Sequence, residues 1–266
     1  MKVIAESIRY YIHKGMTSFQ AENYVCQRIV LSKISKSPFA DKVLIKGGVV
    51  MFNRTGNLRR ATMDLDFDFI RYDISDGSIL SFVDLLNRYD PQYVLTVTNL
   101  ELLHQEDYQG KRVIISIADK SANLTFKMDI GVHTLLAIRQ DAVCFSFVGG
   151  EDGIMLAANP PEQIFAEKAY SLAKHGTFSG RGKDVFDMYY LLKECNLDRR
   201  VVANCLDLLT LENKRGIASL DEVRESVEVA LTDAAFLYRL SKAREKWIDA
   251  GINAIADEII AFLNDV

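Results

Sequence analysis

The sequence predicts an α+β fold, with a mixed β-sheet and flanking helices in front and a helical bundle behind. Three observations predict it. Short apolar segments of strand character recur between residues 42 and 148. After Pro160-Pro161 the pattern changes to helical periodicity, which runs to residue 263. The glycine pair between the first two strand-like segments is followed, on the second, by two acids separated by one apolar residue, Asp64-Leu65-Asp66.

In chain order, residues 2–14 and 18–36 read as helices broken at Gly15 to Thr17. Phe19, Tyr24, Val25, Ile29, Val30 and Ile34 form an apolar stripe on the second. Lys42 to Ile45 reads as a short buried strand, Val49 to Phe52 as the start of a helix ending near Gly56, and Thr62 to Ile70 as the next strand. Ser75 to Asn87 carries Ile79, Phe82, Val83 and Leu86 at helical spacing. Strands are expected at Tyr93 to Leu102, Arg112 to Ile117, Leu124 to Val132 and Asp141 to Val148, with a turn signal at Gly110 and an end at Gly149-Gly150. Helices are expected over 162–174, 183–194, 199–209, 220–230, 233–248 and 252–263. The change in character places a boundary near 150–160, giving parts 1–155 and 156–266.

Composition narrows the function classes. With 49% hydrophobic and 26% charged residues, the chain is ordinary for a globular protein. No stretch approaches the roughly 20 apolar residues that span a bilayer, and the N-terminus lacks the apolar core of a signal peptide, so a cytoplasmic protein without a membrane partner is expected. A net charge of −4 argues against bulk electrostatic coating of nucleic acid, but leaves room for a local basic patch. Cys26, Cys144, Cys195 and Cys205 form no CxxC pair and read as buried free thiols. His13, His104, His133 and His175 are isolated, and no GxxxxGK[ST] loop is present.

The candidate chemistry lies at Lys46-Gly47-Gly48 and Asp64-Leu65-Asp66-Phe67. On a strand, Asp64 and Asp66 share one face while Leu65 and Phe67 face a core. Neighbouring carboxylates repel, and a hard divalent cation such as Mg²⁺ offsets that cost. A Gly-Gly turn leaves backbone N–H groups free for a phosphate. Asp129, in Lys127-Met128-Asp129-Ile130, adds a third carboxylate if its strand lies beside the first; otherwise it is an exposed residue paired with Lys127. Arg54, Arg59, Arg60, Lys174, Arg181 and Lys183 are either phosphate or RNA contacts or a solvated charged face.

Lys46-Gly47-Gly48, Arg60-x-Thr62-x-Asp64-Leu65-Asp66-Phe67, Glu167-Lys168-Ala169 and Lys183-Asp184-x-x-Asp187 together resemble the AbiEii/AbiGii nucleotidyltransferase toxin family, part of the DNA polymerase β-like superfamily. The resemblance spans residues 42 to about 192. It departs at Lys183, where the family has arginine, and at Gly47-Gly48, where the superfamily often has Gly-Ser.

The resemblance implies a nucleotidyltransferase-type sheet and a helical part that completes the active-site cleft. It implies Asp64, Asp66 and Asp129 as ligands of Mg²⁺ or Mn²⁺, with Asp129 also the general base. Lys46, Gly47, Gly48, Arg60 and Thr62 would bind the nucleoside triphosphate, with Lys168 on its phosphates and Asp184 or Asp187 orienting Lys168 or touching the nucleotide. Read bottom-up, Lys168 is equally a solvated helix lysine and Asp184 a charge favoured at a helix N-terminus. The implied activity transfers a nucleoside monophosphate from an NTP to an acceptor hydroxyl, the tRNA 3′ end, and releases pyrophosphate. A cognate antitoxin encoded nearby is the implied protein partner. The alternatives are a protein nucleotidylase and a non-catalytic nucleotide- or partner-binding module.

Overall fold

The computed structural model describes residues 3–105, 108–146, 153–178, 182–212, 216–244 and 246–266. The chain divides into two compact units, 1–134 with 140–159, and 135–139 with 160–266.

The first unit opens with α1 (Ile4–His13) and α2 (Ser18–Ser35). Thr17 caps α2 reciprocally: its hydroxyl accepts from the Gln20 N–H, and the Gln20 side chain accepts from the Thr17 N–H. The stripe expected on α2 is buried at Tyr24, Val25, Ile29, Val30 and Ile34, whereas Phe19, in the first turn, is 62% exposed. Burial also extends beyond the stripe to Gln27 and Lys33, so α2 is enclosed on more than one side. Lys33 donates to the Leu86 and Asp90 carbonyls at the end of a later helix, and burial pushes its pKa down to about 8.

Next come β1 (Val43–Lys46), α3 (Gly48–Thr55), β2 (Leu65–Phe69) and α4 (Asp76–Tyr89), followed by β3 (Val94–Gln105), β4 (Tyr108–Ala118), β5 (Asn123–Val132), β6 (Asp141–Phe145) and β7 (Ile154–Ala158). They form one seven-stranded sheet in the order β3-β4-β5-β2-β1-β7-β6. The sheet is mixed: β2 runs parallel to β5 and β1 to β7, and the remaining pairs are antiparallel. One face of β2 puts Leu65, Phe67 and Phe69 into the core, where Phe69 meets Phe82 of α4 and Phe39 edge-on or tilted at 5.0 and 5.9 Å. That burial pins the register, because a one-residue slip would turn the acids inward.

Three expectations change. The segment expected to be a strand from Thr62 pairs only from Leu65, and Gly110 lies inside β4 rather than in a turn. The strand β7 has no counterpart in the sequence reading. The residues beyond Ser146 that were assigned to the end of a strand and to Gly149-Gly150 lie outside the described residues.

The second unit is helical: α5 (Pro161–His175), α6 (Gly182–Glu194), α7 (Arg199–Glu212), α8 (Leu220–Thr232), α9 (Ala234–Lys242) and α10 (Ile252–Asn264). Pro161 sits in the first turn of α5, where its missing N–H costs nothing. The core of this unit includes Phe165, Ala169, Phe186, Leu191, Val227 and Ile259. The helix expected over 233–248 ends at Lys242, because Ala243 is extended. Trp247 lies beyond it, 5% exposed and tilted against Tyr190 at 5.4 Å between ring centroids. Cys26 and Cys205 are buried free thiols as expected, but Cys144 is exposed and Cys195 partly so.

Candidate active site

The centre of the first unit's site is the junction of β2 and β5. Their parallel register sets Asp66 directly beside Asp129, while Leu65 and Met128 pair on the opposite, buried face. Asp64 immediately precedes β2, and Asp68 continues the alternation on the acidic face. Burial and the charges of Asp129, Asp64 and Asp68 raise the Asp66 pKa to about 6, against the opposing pull of Lys46.

The other acids have cationic partners. Arg112 on β4, register-paired with Asp129, grips it through two hydrogen bonds of 2.9 and 2.8 Å. Lys127 reaches Asp64 at 2.8 Å and Lys46 reaches Asp68 at 2.7 Å.

The glycine pair follows from β1. Gly47 takes φ 69°, ψ −142° as the cap of α3, and a Cβ there would run into the Asp66 carboxylate. A Cβ on Gly48 would come within 2.5 Å of the Thr62 hydroxyl and 2.8 Å of its Cβ. Thr62 therefore fills the space that a serine at position 48 would need. The start of α3 thus lies against the Asp66 carboxylate, and the first amides of a helix have no partner within it.

Gln27 of α2 holds the approach to β2. Its side-chain amide donates to the Thr62 carbonyl at 2.9 Å and the Asp64 carbonyl at 3.1 Å, and the residue is 1% exposed. Those bonds tie the chain just before β2 to α2 and give two of its backbone acceptors a donor. The sequence reading missed Gln27, Arg112 and Asp68. Only Asp68 left a signal, the continued alternation Asp64-x-Asp66-x-Asp68.

The second unit carries its own charged group. Lys168 on α5 lies 2.6 Å from Asp184 and 2.9 Å from Asp187, both on α6. Asp187 is fully buried, and the side chains of Lys168 and Asp184 are 11% and 14% exposed. Spaced three apart, the two acids share a face of α6, so both orient Lys168.

The model of the nucleotidyl transferase AbiEii toxin family, type IV toxin–antitoxin system, matches residues 28–263. The chain belongs to this AbiEii family. No curated protein matches the sequence. Among solved structures, it is similar to JHP933 from Helicobacter pylori, at 16% identity and a TM-score of 0.47, over 94% of this chain and 95% of that one. It is also similar to a candidate nucleotidyltransferase from H. pylori, at 17% identity and a TM-score of 0.45, over 91% and 96%.

In this AbiEii protein the first unit brings together Lys46, Gly47, Gly48, Thr62, Asp64, Asp66 and Asp129. Arg60 is 3% exposed, and Arg54 reaches Asp141 at 3.2 Å. The second unit brings together Lys168, Asp184 and Asp187. Arg181 lies outside the described residues.

The donor set Asp64, Asp66 and Asp129 is all carboxylate oxygen, which suits Mg²⁺ or Mn²⁺. Asp66, desolvated beside three other acids, gains from a cation that the fold does not itself supply in full. Among the described residues no three acids, histidines or cysteines are arranged to hold one ion, and Asp64 and Asp129 are instead engaged by Lys127 and Arg112. No helix of the described residues is long and apolar enough to cross a membrane.

Proposed function

We propose that this AbiEii-family protein is a metal-dependent nucleotidyltransferase that moves a nucleoside monophosphate from an NTP to an acceptor hydroxyl, the 3′ end of a tRNA. The observation that carries this reading is the pairing of Asp66 with Asp129 across two parallel strands, beside a glycine turn that opens a helix.

The acceptor oxygen attacks the α-phosphorus, the bond from that phosphorus to the α,β-bridging oxygen breaks, and pyrophosphate leaves. Asp64, Asp66 and Asp129 would hold Mg²⁺ or Mn²⁺, which when bound supplies Lewis acidity toward the phosphate oxygens. Gly47, Gly48 and the following amides of α3 bind phosphate by N–H donation, and the Thr62 hydroxyl adds a side-chain donor. Lys46 keeps Asp68 neutralised behind the site. Asp129 takes the acceptor's proton, and Arg112 holds its carboxylate through both oxygens. Lys168 is assigned to the nucleotide phosphates, with Asp184 and Asp187 fixing its ammonium. The partner of this activity is a cognate antitoxin, in keeping with the type IV toxin–antitoxin description of the family.

The test is label transfer. Purified protein, Mg²⁺, α-labelled NTPs and total tRNA should yield labelled tRNA, and Asp66→Asn should yield none. Label that survives RNase and runs with protein would move the acceptor to a protein hydroxyl. Absence of transfer to either would refute the catalytic reading.

A further inference from the structure

The acids of the first unit are already paired with cations of the fold. Asp68, Asp129 and Asp64 face Lys46, Arg112 and Lys127, and Asp66 lies among them. Two of these cations differ from the third. Lys46 neutralises Asp68, which is buried and lies outside the metal set. Lys127 and Arg112 are instead on Asp64 and Asp129, oxygens that a metal needs, and their side chains are 38% and 34% exposed. A half-exposed cation on a flexible stem can leave its partner at little cost.

The occupied oxygens then set the order of binding. A divalent ion entering this set alone has to displace Lys127 and Arg112 from oxygens that it needs. A polyphosphate offers those two cations new oxygens.

We infer that Lys127 and Arg112 are positioning residues that occupy the ligand oxygens of Asp64 and Asp129 in the empty protein and pass to the phosphates of the incoming nucleotide, so that metal and nucleotide bind cooperatively. This inference rests on the metal-binding role proposed above. Lys127 is the sharper case, because it is held by a single contact to Asp64, whereas Arg112 also fixes the Asp129 carboxylate through two bonds. The coupling is reciprocal: whatever factor the nucleotide adds to metal affinity, the metal adds to nucleotide affinity.

The experiment measures Mn²⁺ binding to the full chain by electron paramagnetic resonance. It is run with and without an NTP analogue that carries a methylene between its α and β phosphorus, after subtracting the analogue's own Mn²⁺ binding. The wild type should bind Mn²⁺ weakly alone and more tightly with the analogue. Lys127→Met should bind Mn²⁺ alone about two- to fivefold more tightly, the size expected for one half-exposed ion pair, and should lose a similar factor from the analogue's effect. Lys127→Arg, which keeps the charge, should behave as the wild type. Circular dichroism melts establish that each variant is folded, and Lys127→Gln is the second neutral variant if methionine is not tolerated. Mn²⁺ binding that depends on Asp66 but is unchanged or weakened in the folded neutral variants overturns the exchange and leaves the metal site standing. Absence of binding sensitive to Asp66→Asn in every form overturns the metal site and the exchange with it.

Discussion

Gly47 and Asp66 are in contact across the β1–β2 junction, with no room for a Cβ between the Gly47 backbone and the Asp66 carboxylate. The same glycine has a positive φ of 69°, so two independent constraints hold the position. Gly47→Ala should therefore destabilise the first unit by about 1–3 kcal/mol through backbone strain and should abolish transfer by turning Asp66 away. Urea unfolding and label transfer check the two effects. A folded Gly47→Ala protein with normal transfer would show that the contact has no bearing on the site.

Asp66 itself should limit stability. Its pKa in the fold is about 6, above the ordinary value of 3.8. The native state thus binds more protons than the unfolded chain between those values, and stability falls as pH rises from about 4 to about 6. Above pH 6 the loss is complete. Asp66→Asn removes it, so without metal or nucleotide the variant should be more stable than the wild type at pH 7, by an amount on the order of 1–3 kcal/mol. The advantage should shrink toward pH 4. Urea midpoints of both proteins across that range are the measurement, and a constant difference would contradict the assignment.

The sequence makes the acidic strand legible because its chemistry and its periodicity coincide: the residues between the acids are Leu65 and Phe67, and both are fully buried. The helices after Pro160 are legible for the same kind of reason. What was not legible depends on contacts remote in sequence. The segment Ile154-Met155-Leu156-Ala157-Ala158 is short and without clear alternation, and becomes a strand because β1 and β6 stand on either side of it. Trp247 has helical spacing from Leu240, but the chain leaves the helix at Ala243 and buries the indole against Tyr190. Arg112 and Asp129 are separated by a hairpin, and no local pattern says that they will pair.

Gln27 shows the same remoteness in a form that mutation can probe. Its side chain reaches backbone 35 and 37 residues away, and no periodicity of α2 points to it. Gln27→Leu keeps the volume approximately but leaves the Thr62 and Asp64 carbonyls without their donor, which should cost about 1–3 kcal/mol. Because it touches only backbone, the substitution should lower kcat through misplacement of Asp64 more than it changes nucleotide binding. Gln27→Glu should be worse, since it sets an acceptor against two acceptors beside an acidic site. Unfolding curves and steady-state kinetics separate the effects; a Gln27→Leu protein as stable and active as the wild type would deny the clamp.

Lys168 offers the clearest energetic contrast in the second unit. It lies between two carboxylates, one of them fully buried, so its removal takes a cation away from a charge that water does not reach. Lys168→Met should destabilise by about 3–5 kcal/mol, the range for breaking a buried ion pair from one side. Asp187→Asn in the same background removes the buried negative charge, and the double variant should recover part of the loss. Compared with the effect of Asp187→Asn alone, the recovery isolates the Lys168–Asp187 pairing from the packing of the lysine stem. Neither variant should transfer nucleotide if Lys168 contacts the phosphates, even where stability is restored. A double variant that regains both stability and activity would make the lysine purely structural. One that regains stability alone would support its assignment to the nucleotide.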